Sequence, residues 1–226
     1  MSRYARSGSR QMPEITAVLA VLTMIGLAAF AISGALAGAR VGMDWLGLST
    51  LAAVTAIGGG TLRDLLMTRT PGWLVDFWPT VFIIAGAVIA VWVVARLAPT
   101  SGQRSWMVHL FSITDAIGLA TFAVVGTDIA LKAGFGAGPS VILGVISGIG
   151  GGIIRDVIAG RRVAIFTGEI YALAAAAGAI VFVLAQPLPP WLPVILGLAA
   201  TLTIRLGAIA MGWRVPTLAL PPEPKE

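Results

Sequence analysis

IGLAAFAISG, at residues 25–34, returns as IGLATFAVVG at residues 117–126. GGGTLRD, at 58–64, returns as GGGIIRD at 150–156. One offset of 92 residues relates both pairs, 25 to 117 and 58 to 150, with no gap between them. Between 25–70 and 117–162 about a third of the positions are identical, a strong sign of an internal repeat.

The composition says what solvent the repeat lives in. Of 226 residues, 58% are hydrophobic and 11% are charged. A soluble domain carries roughly a quarter charged residues, and a mean hydropathy of +0.94 excludes an ordinary soluble globule. The net charge of +5 does not point to nucleic acid, because the basic residues lie at the ends of apolar runs, as membrane loops require. With no Cys, thiolate metal sites and disulfides are excluded, and a single His, His109, excludes a multi-histidine metal site. No cofactor and no resident metal are expected, and no Ser/His/Asp set or metal cluster suggests an enzyme.

A spanning helix needs about 20 mostly apolar residues. Seven stretches qualify: 15–36, 45–67, 77–97, 106–131, 139–159, 165–184 and 191–211. The first follows Arg3, Arg6 and Arg10 like a signal peptide, but its counterpart in the second copy is internal, so it is a retained helix. Each copy holds three spans, and an odd number flips the second copy. The expected fold is an all-α integral membrane protein of two inverted three-helix repeats plus a seventh helix. The segments are 1–14 (N-terminal), 15–98 (first repeat), 106–186 (second repeat), 190–213 (seventh helix) and 214–226, a Pro-rich tail expected to be disordered. Seven spans put the termini on opposite sides. Arg40, Arg96, Arg104, Arg161, Arg162, Arg214 and Lys225 outweigh Arg3, Arg6, Arg10, Arg69 and Lys132, which places the C-terminus in the cytoplasm.

Polar groups in a bilayer are costly and mark function. They concentrate on spans one, two, four and five. Thr114, Thr121 and Asp128 recur every seven residues on span four, one helix face that drifts about 20° per heptad. Thr23 and Ser33 lie on roughly one face of span one. The two stripes suggest a shared hydrophilic path; the alternative is that the hydroxyls bond their own helices and that Asp128 pairs with Lys132. Gly58, Gly59, Gly60, Gly150, Gly151 and Gly152 invite the helices to unwind, which would put free carbonyls at a midplane binding site; close helix packing is the alternative. Arg63-Asp64 and Arg155-Asp156 follow the triplets. Neighbours on a helix do not face each other, so each charge needs another partner, and a structural clamp is favoured over a charge ring. Asp115 stands where the first copy has Thr23, and could draw cations in or simply hydrogen-bond. Glu169 and Asp76 are expected to open their helices, and Arg205 to snorkel. Phe30 and Phe122, equivalent in the repeat, could form an apolar gate.

On the two IGLA motifs, the doubled GGGxxRD and the three-plus-three-plus-one pattern, covering about residues 15–210, the chain resembles the prokaryotic branch of the trimeric intracellular cation (TRIC) channel family. Bacterial members of that family also carry a glycine-transporter label. The resemblance implies a homotrimer in the cell (inner) membrane, with lipids as its other partners. Each protomer would have its own pore between the repeats, lined by spans one, two, four and five. Spans two and five would be broken at the glycines, and the pore would pass monovalent cations (K+ or Na+), K+ especially. Animal members have a Lys-Glu-Val pattern tied to phosphoinositide lipid; this chain has Arg-Asp, so that lipid site is not carried over. A secondary transporter of a small amino acid such as glycine is the alternative reading.

Overall fold

The structure is a computed structural model, and it describes residues 8–97, 103–167 and 169–216, with side chains described from residue 15 and, after the first gap, from residue 106. The tail expected to be disordered lies almost wholly outside these residues. The helices are α1 (Gly8–Arg40), α2 (Trp45–Leu66), α3 (Gly72–Val75), α4 (Phe77–Leu97), α5 (Gln103–Lys132), α6 (Ala137–Ile158), α7 (Ala172–Leu184) and α8 (Trp191–Met211), with a 3-10 turn at Ala164–Phe166. Among the described residues six helices are long and apolar enough to cross a membrane: α1, α2, α4, α5, α6 and α8. The chain is a multi-pass, all-helical membrane protein.

The expected sixth span is shorter than the sequence suggested. Residues 165–171 are not in α7, which has 13 residues. Glu169 does not open that helix: it forms a lone β-bridge with Arg214, and its carboxylate takes a hydrogen bond from Arg205 Nη2 at 2.8 Å. Arg205 is therefore buried and paired, stacked over the Tyr171 ring, and does not snorkel. Asp76 closes α3 and, as expected, opens α4, which begins at the next residue: its carbonyl accepts from Thr80 N–H at 3.2 Å.

Four helices, α1, α2, α5 and α6, make the most extensive contacts and form the centre, while α4 lies against α1, and α7 and α8 pair beside α5. The turns repeat as the sequence does. After α1, Gly42 at φ +76° lets Met43 N–H return to the Gly38 carbonyl; 92 residues on, Gly134 at φ +89° lets Phe135 N–H return to Ala130. After α6, Gly160 sits at φ +62°, and Arg161 N–H bonds Asp156. This is the left-handed helix end that glycine adopts without a Cβ penalty. The equivalent residue after α2 is Thr68, held at φ +54° while Arg69 N–H bonds Asp64.

The glycine triplets do not break their helices. Both α2 and α6 run continuously through them. Glycine is present because the two helices touch there, backbone to backbone. A Cβ on Gly59 would overlap the Ser147 carbonyl, one on Gly151 would overlap the Thr55 carbonyl, and one on Gly150 would come 2.9 Å from Gly59 Cα. Thr55 and Ser147 are themselves equivalent in the repeat, so each triplet is seated on the other helix's backbone at matching points. In lipid, where helices gain little from apolar burial alone, such close van der Waals contact supplies the association energy.

Candidate functional site

Along α1 lie four things in order: Thr23 beside a cavity, Phe30 in the core, Ser33 in a buried ion-pair network, and Arg40 against an aromatic ring. Phe30 stacks on Phe122 of α5, with centroids 5.4 Å apart and planes 6° from parallel. Glycines make room for both rings: a Cβ at Gly118 would enter the Phe30 ring, and one at Gly26 would lie 3.1 Å from Phe122. The two proposed gate residues are thus brought face to face at the centre, between the ion-pair network on one side and the cavity on the other.

The network centres on Arg155, which is 1% exposed. Its Nε donates to Asp156 at 2.9 Å, and its Nη1 donates to both Asp115 and Ser33. The Tyr171 hydroxyl leans on the same Asp115 oxygen at 3.4 Å. Asp115, 2% exposed, is neutralised by Arg155 and is not a free attractor of cations. Arg63 repeats the first part of this pattern: Nε to Asp64 at 2.9 Å and Nη1 to Ser147 at 3.2 Å. Asp64 also accepts from Gly72 N–H at 3.0 Å and so holds the start of α3. Adjacent Arg and Asp do bond each other, contrary to expectation. The long arginine stem curls back to its neighbour's carboxylate and still reaches across to the other copy. A buried ion pair needs such extra hydrogen bonds to offset desolvation. The arrangement is a clamp: Arg63 ties α2 to α6, and Arg155 ties α6 to α1 and α5.

Beyond the network, the guanidinium groups of Arg40, Arg155 and Arg161 lie 5.3, 4.6 and 4.8 Å from the Phe111 ring centre. Arg161 follows the α6 span; burial, then the Arg40 charge, lowers its pKa. On the opposite side of the phenylalanine pair, a cavity of about 240 Å³ is lined by Thr23, Thr61, Arg63, Trp73, Asp76 and Phe122 among others.

Thr114 donates to the Leu110 and Phe111 carbonyls, and Thr23 to Leu19. Thr121 is 3% exposed and packs where a Cβ on Gly26 would sit. Asp128 pairs with Lys132 at 2.8 Å, one turn on. Ser147, Tyr171, Thr61, Trp73 and Phe111 were not singled out from the sequence for this site. A polar residue three places before each triplet, Thr55 and Ser147, was a readable signal for the first of them.

The family model described as Glycine transporter matches residues 20–96 and 112–187. The chain is 39% identical to the UPF0126 inner membrane protein YadS of Escherichia coli K12, over 88% of this chain and 95% of that one. It is also 39% identical to a UPF0126 membrane protein of Vibrio cholerae, over 91% and 84%. Among solved structures, the TRIC trimeric intracellular cation channel orthologue of Rhodobacter sphaeroides superposes with a TM-score of 0.78 at 35% identity, covering 87% of this chain and 99% of that one. A prokaryotic TRIC channel crystallised in 0.5 M KCl superposes with a TM-score of 0.81 at 28% identity, covering 87% and 98%. These solved neighbours are channels rather than enzymes. By sequence and by fold, the chain belongs to the prokaryotic TRIC family of membrane proteins, the family that also carries the description Glycine transporter.

Proposed function

We propose that this chain is a monovalent cation channel, permeable to K+ and Na+, with one path per protomer between two inverted three-helix repeats. The observation that carries the proposal is the stack of Phe30 on Phe122. It lies between a cavity lined by Asp76 and the Arg63–Asp64 pair and the buried network of Asp115 and Arg155. Parallel rings packed into glycine pockets form a dry constriction, and a hydrophobic constriction gates by excluding water. Ion passage then requires the rings to part, while the two Arg-Asp clamps hold the helices on either side. The likeness to TRIC cation channels supports the ion class, and the description of one neighbour as trimeric supports a homotrimer. The YadS description supports the inner membrane; a cytoplasmic C-terminus follows the count of basic residues.

Glycine transport, suggested by the family description, required half-helix N-termini at the triplets to hold a carboxylate. Continuous α2 and α6 remove those termini. Planar-bilayer recording of purified protein under a KCl gradient tests the channel reading. Unitary currents reversing near the K+ potential support it. Electrical silence with saturable glycine uptake into liposomes from the same preparation overturns it.

A further inference from the structure

In the second copy of the repeat, Tyr171 fills the space beside the third glycine of the triplet: it is 1% exposed, and a Cβ on Gly152 would meet its hydroxyl at 2.5 Å. The equivalent residue in the first copy is Pro79, and no side chain takes the place of the missing ring. A Cβ on Gly60 would meet Arg63 Nη2 at 3.8 Å and no other side chain within 4 Å. The cavity of about 240 Å³ opens here, walled by Leu27, Ile57, Ile83 and Phe122. The hydroxyls along it do not make it polar. Those of Thr23, Thr61 and Thr80 each donate to a carbonyl of the preceding turn.

Three charged side chains reach this apolar space: Arg63, Asp64 and Asp76. Two of them are spent on each other. Arg63 holds Asp64 through Nε at 2.9 Å and Nη2 at 2.8 Å, its Nη1 donates to Ser147, and the second Asp64 oxygen takes the Gly72 N–H. That leaves Asp76, which is exposed and makes no ion pair among the described residues. The cavity is an apolar chamber with one uncompensated negative charge at its mouth. A bare inorganic cation gains nothing from walls that cannot replace its water. A ligand with a cationic head and an apolar body satisfies both parts: the head stays hydrated beside Asp76 while the body leaves water. We infer that this cavity is a binding site for small amphipathic organic cations of the alkylammonium class, with the ammonium at Asp76 and the chain directed inward to Phe122. Phe122 is 5% exposed and is one ring of the central stack, so it marks the deep end. Trp73, which lines the same cavity with its indole N–H fixed on Thr61 at 3.0 Å, adds an aromatic surface of the kind that attracts ammonium groups. Binding here requires no ion conduction, so the inference stands or falls apart from the channel reading.

The test is a titration of the full chain in nanodiscs of zwitterionic lipid with butyltrimethylammonium, tetramethylammonium, butanol and butyrate, at constant ionic strength. Tryptophan emission is read. Empty nanodiscs correct for partition into lipid, and the Trp73→Phe variant identifies the part of the signal that comes from the cavity wall. Butyltrimethylammonium is expected to saturate. Tetramethylammonium, which lacks the chain, should bind at least about tenfold more weakly, since each buried CH₂ counts for about fourfold. Butanol and butyrate, which keep the chain and lose or reverse the charge, should both bind at least about threefold more weakly than the cation. Asp76→Asn should weaken butyltrimethylammonium by about threefold and leave butanol unchanged, as for an exposed charge pair. Gly60→Leu fills the chamber and should weaken the cation by at least about tenfold. Ala20→Leu, at an exposed lining position, serves if Gly60→Leu does not fold. Absence of saturation by butyltrimethylammonium in the folded wild-type chain overturns the inference. So does butanol or butyrate binding as tightly as the cation, or unchanged cation binding in a folded Asp76→Asn, Gly60→Leu or Ala20→Leu chain.

Discussion

Gly59 and Gly60 are neighbours in one helix, yet close packing gives them opposite responses to alanine. A Cβ at Gly59 would overlap the Ser147 carbonyl and lie 3.0 Å from its carbon, both backbone atoms of α6 that cannot rotate away. Relief requires α2 and α6 to separate at their crossing, where Gly150 is equally close. Overpacking of this kind costs about 1–3 kcal/mol. A Cβ at Gly60 meets a single flexible arginine tip at 3.8 Å. Alanine there gains about 0.8–1 kcal/mol of helix propensity with no steric cost. The same propensity gain applies at Gly59, so the two variants should differ by the overpacking cost, about 1–3 kcal/mol. Thermal unfolding of the detergent-purified chain, followed by loss of the monodisperse chromatographic peak, reads the order directly. Gly59→Ala should melt several degrees below wild type and Gly60→Ala at or above it. If the triplet were instead a flexible break, alanine would stiffen it from either position. Shifts of the same sign and size for both variants would refute the packing account.

Other consequences follow from named contacts. Asp115→Asn leaves Arg155 buried with one carboxylate fewer, and breaking a buried pair costs about 3–5 kcal/mol; the variant should lose yield and melt far earlier, and an unchanged melting temperature would show that the bond is not formed. Asp128→Asn should shift stability by about 1 kcal/mol or less, because Lys132 is 57% exposed and surface pairs are weak; a large change in single-channel current would place Asp128 on the ion path instead. Thr68→Gly should stabilise the chain, since Thr68 sits at φ +54° where its equivalent is Gly160, by about 1 kcal/mol of relieved left-handed strain; a lower melting temperature would contradict this.

Much of the architecture was legible because the repeat is gapless. One offset carried the spans, the glycine triplets and the Arg-Asp pairs from one copy to the other. The glycine triplets were legible as sites of contact or rupture, but not as which. Glycine permits both, and the decision rests on the Ser147 and Thr55 carbonyls that approach them from another helix. The partners of Asp115 were hidden for a similar reason. Arg155 is 40 residues away and Tyr171 is 56, and only the α5–α6–α7 packing brings them together. The sixth span was overread because residues 165–171 are apolar enough to continue it. Ala164–Phe166 instead form a 3-10 turn, and Glu169 bridges to Arg214. Phe30 and Phe122 were paired correctly in the repeat, but parallel stacking could not be read from sequence.

The most direct test of the channel account is single-channel recording of Phe30→Ala and Phe122→Ala beside wild type, in symmetric KCl and under a KCl gradient. Removing either ring takes away half of the stacked constriction. The account expects a clear rise in open probability or conductance with reversal still near the K+ potential. Folded variants whose currents match wild type in both would show that ions do not pass between these rings.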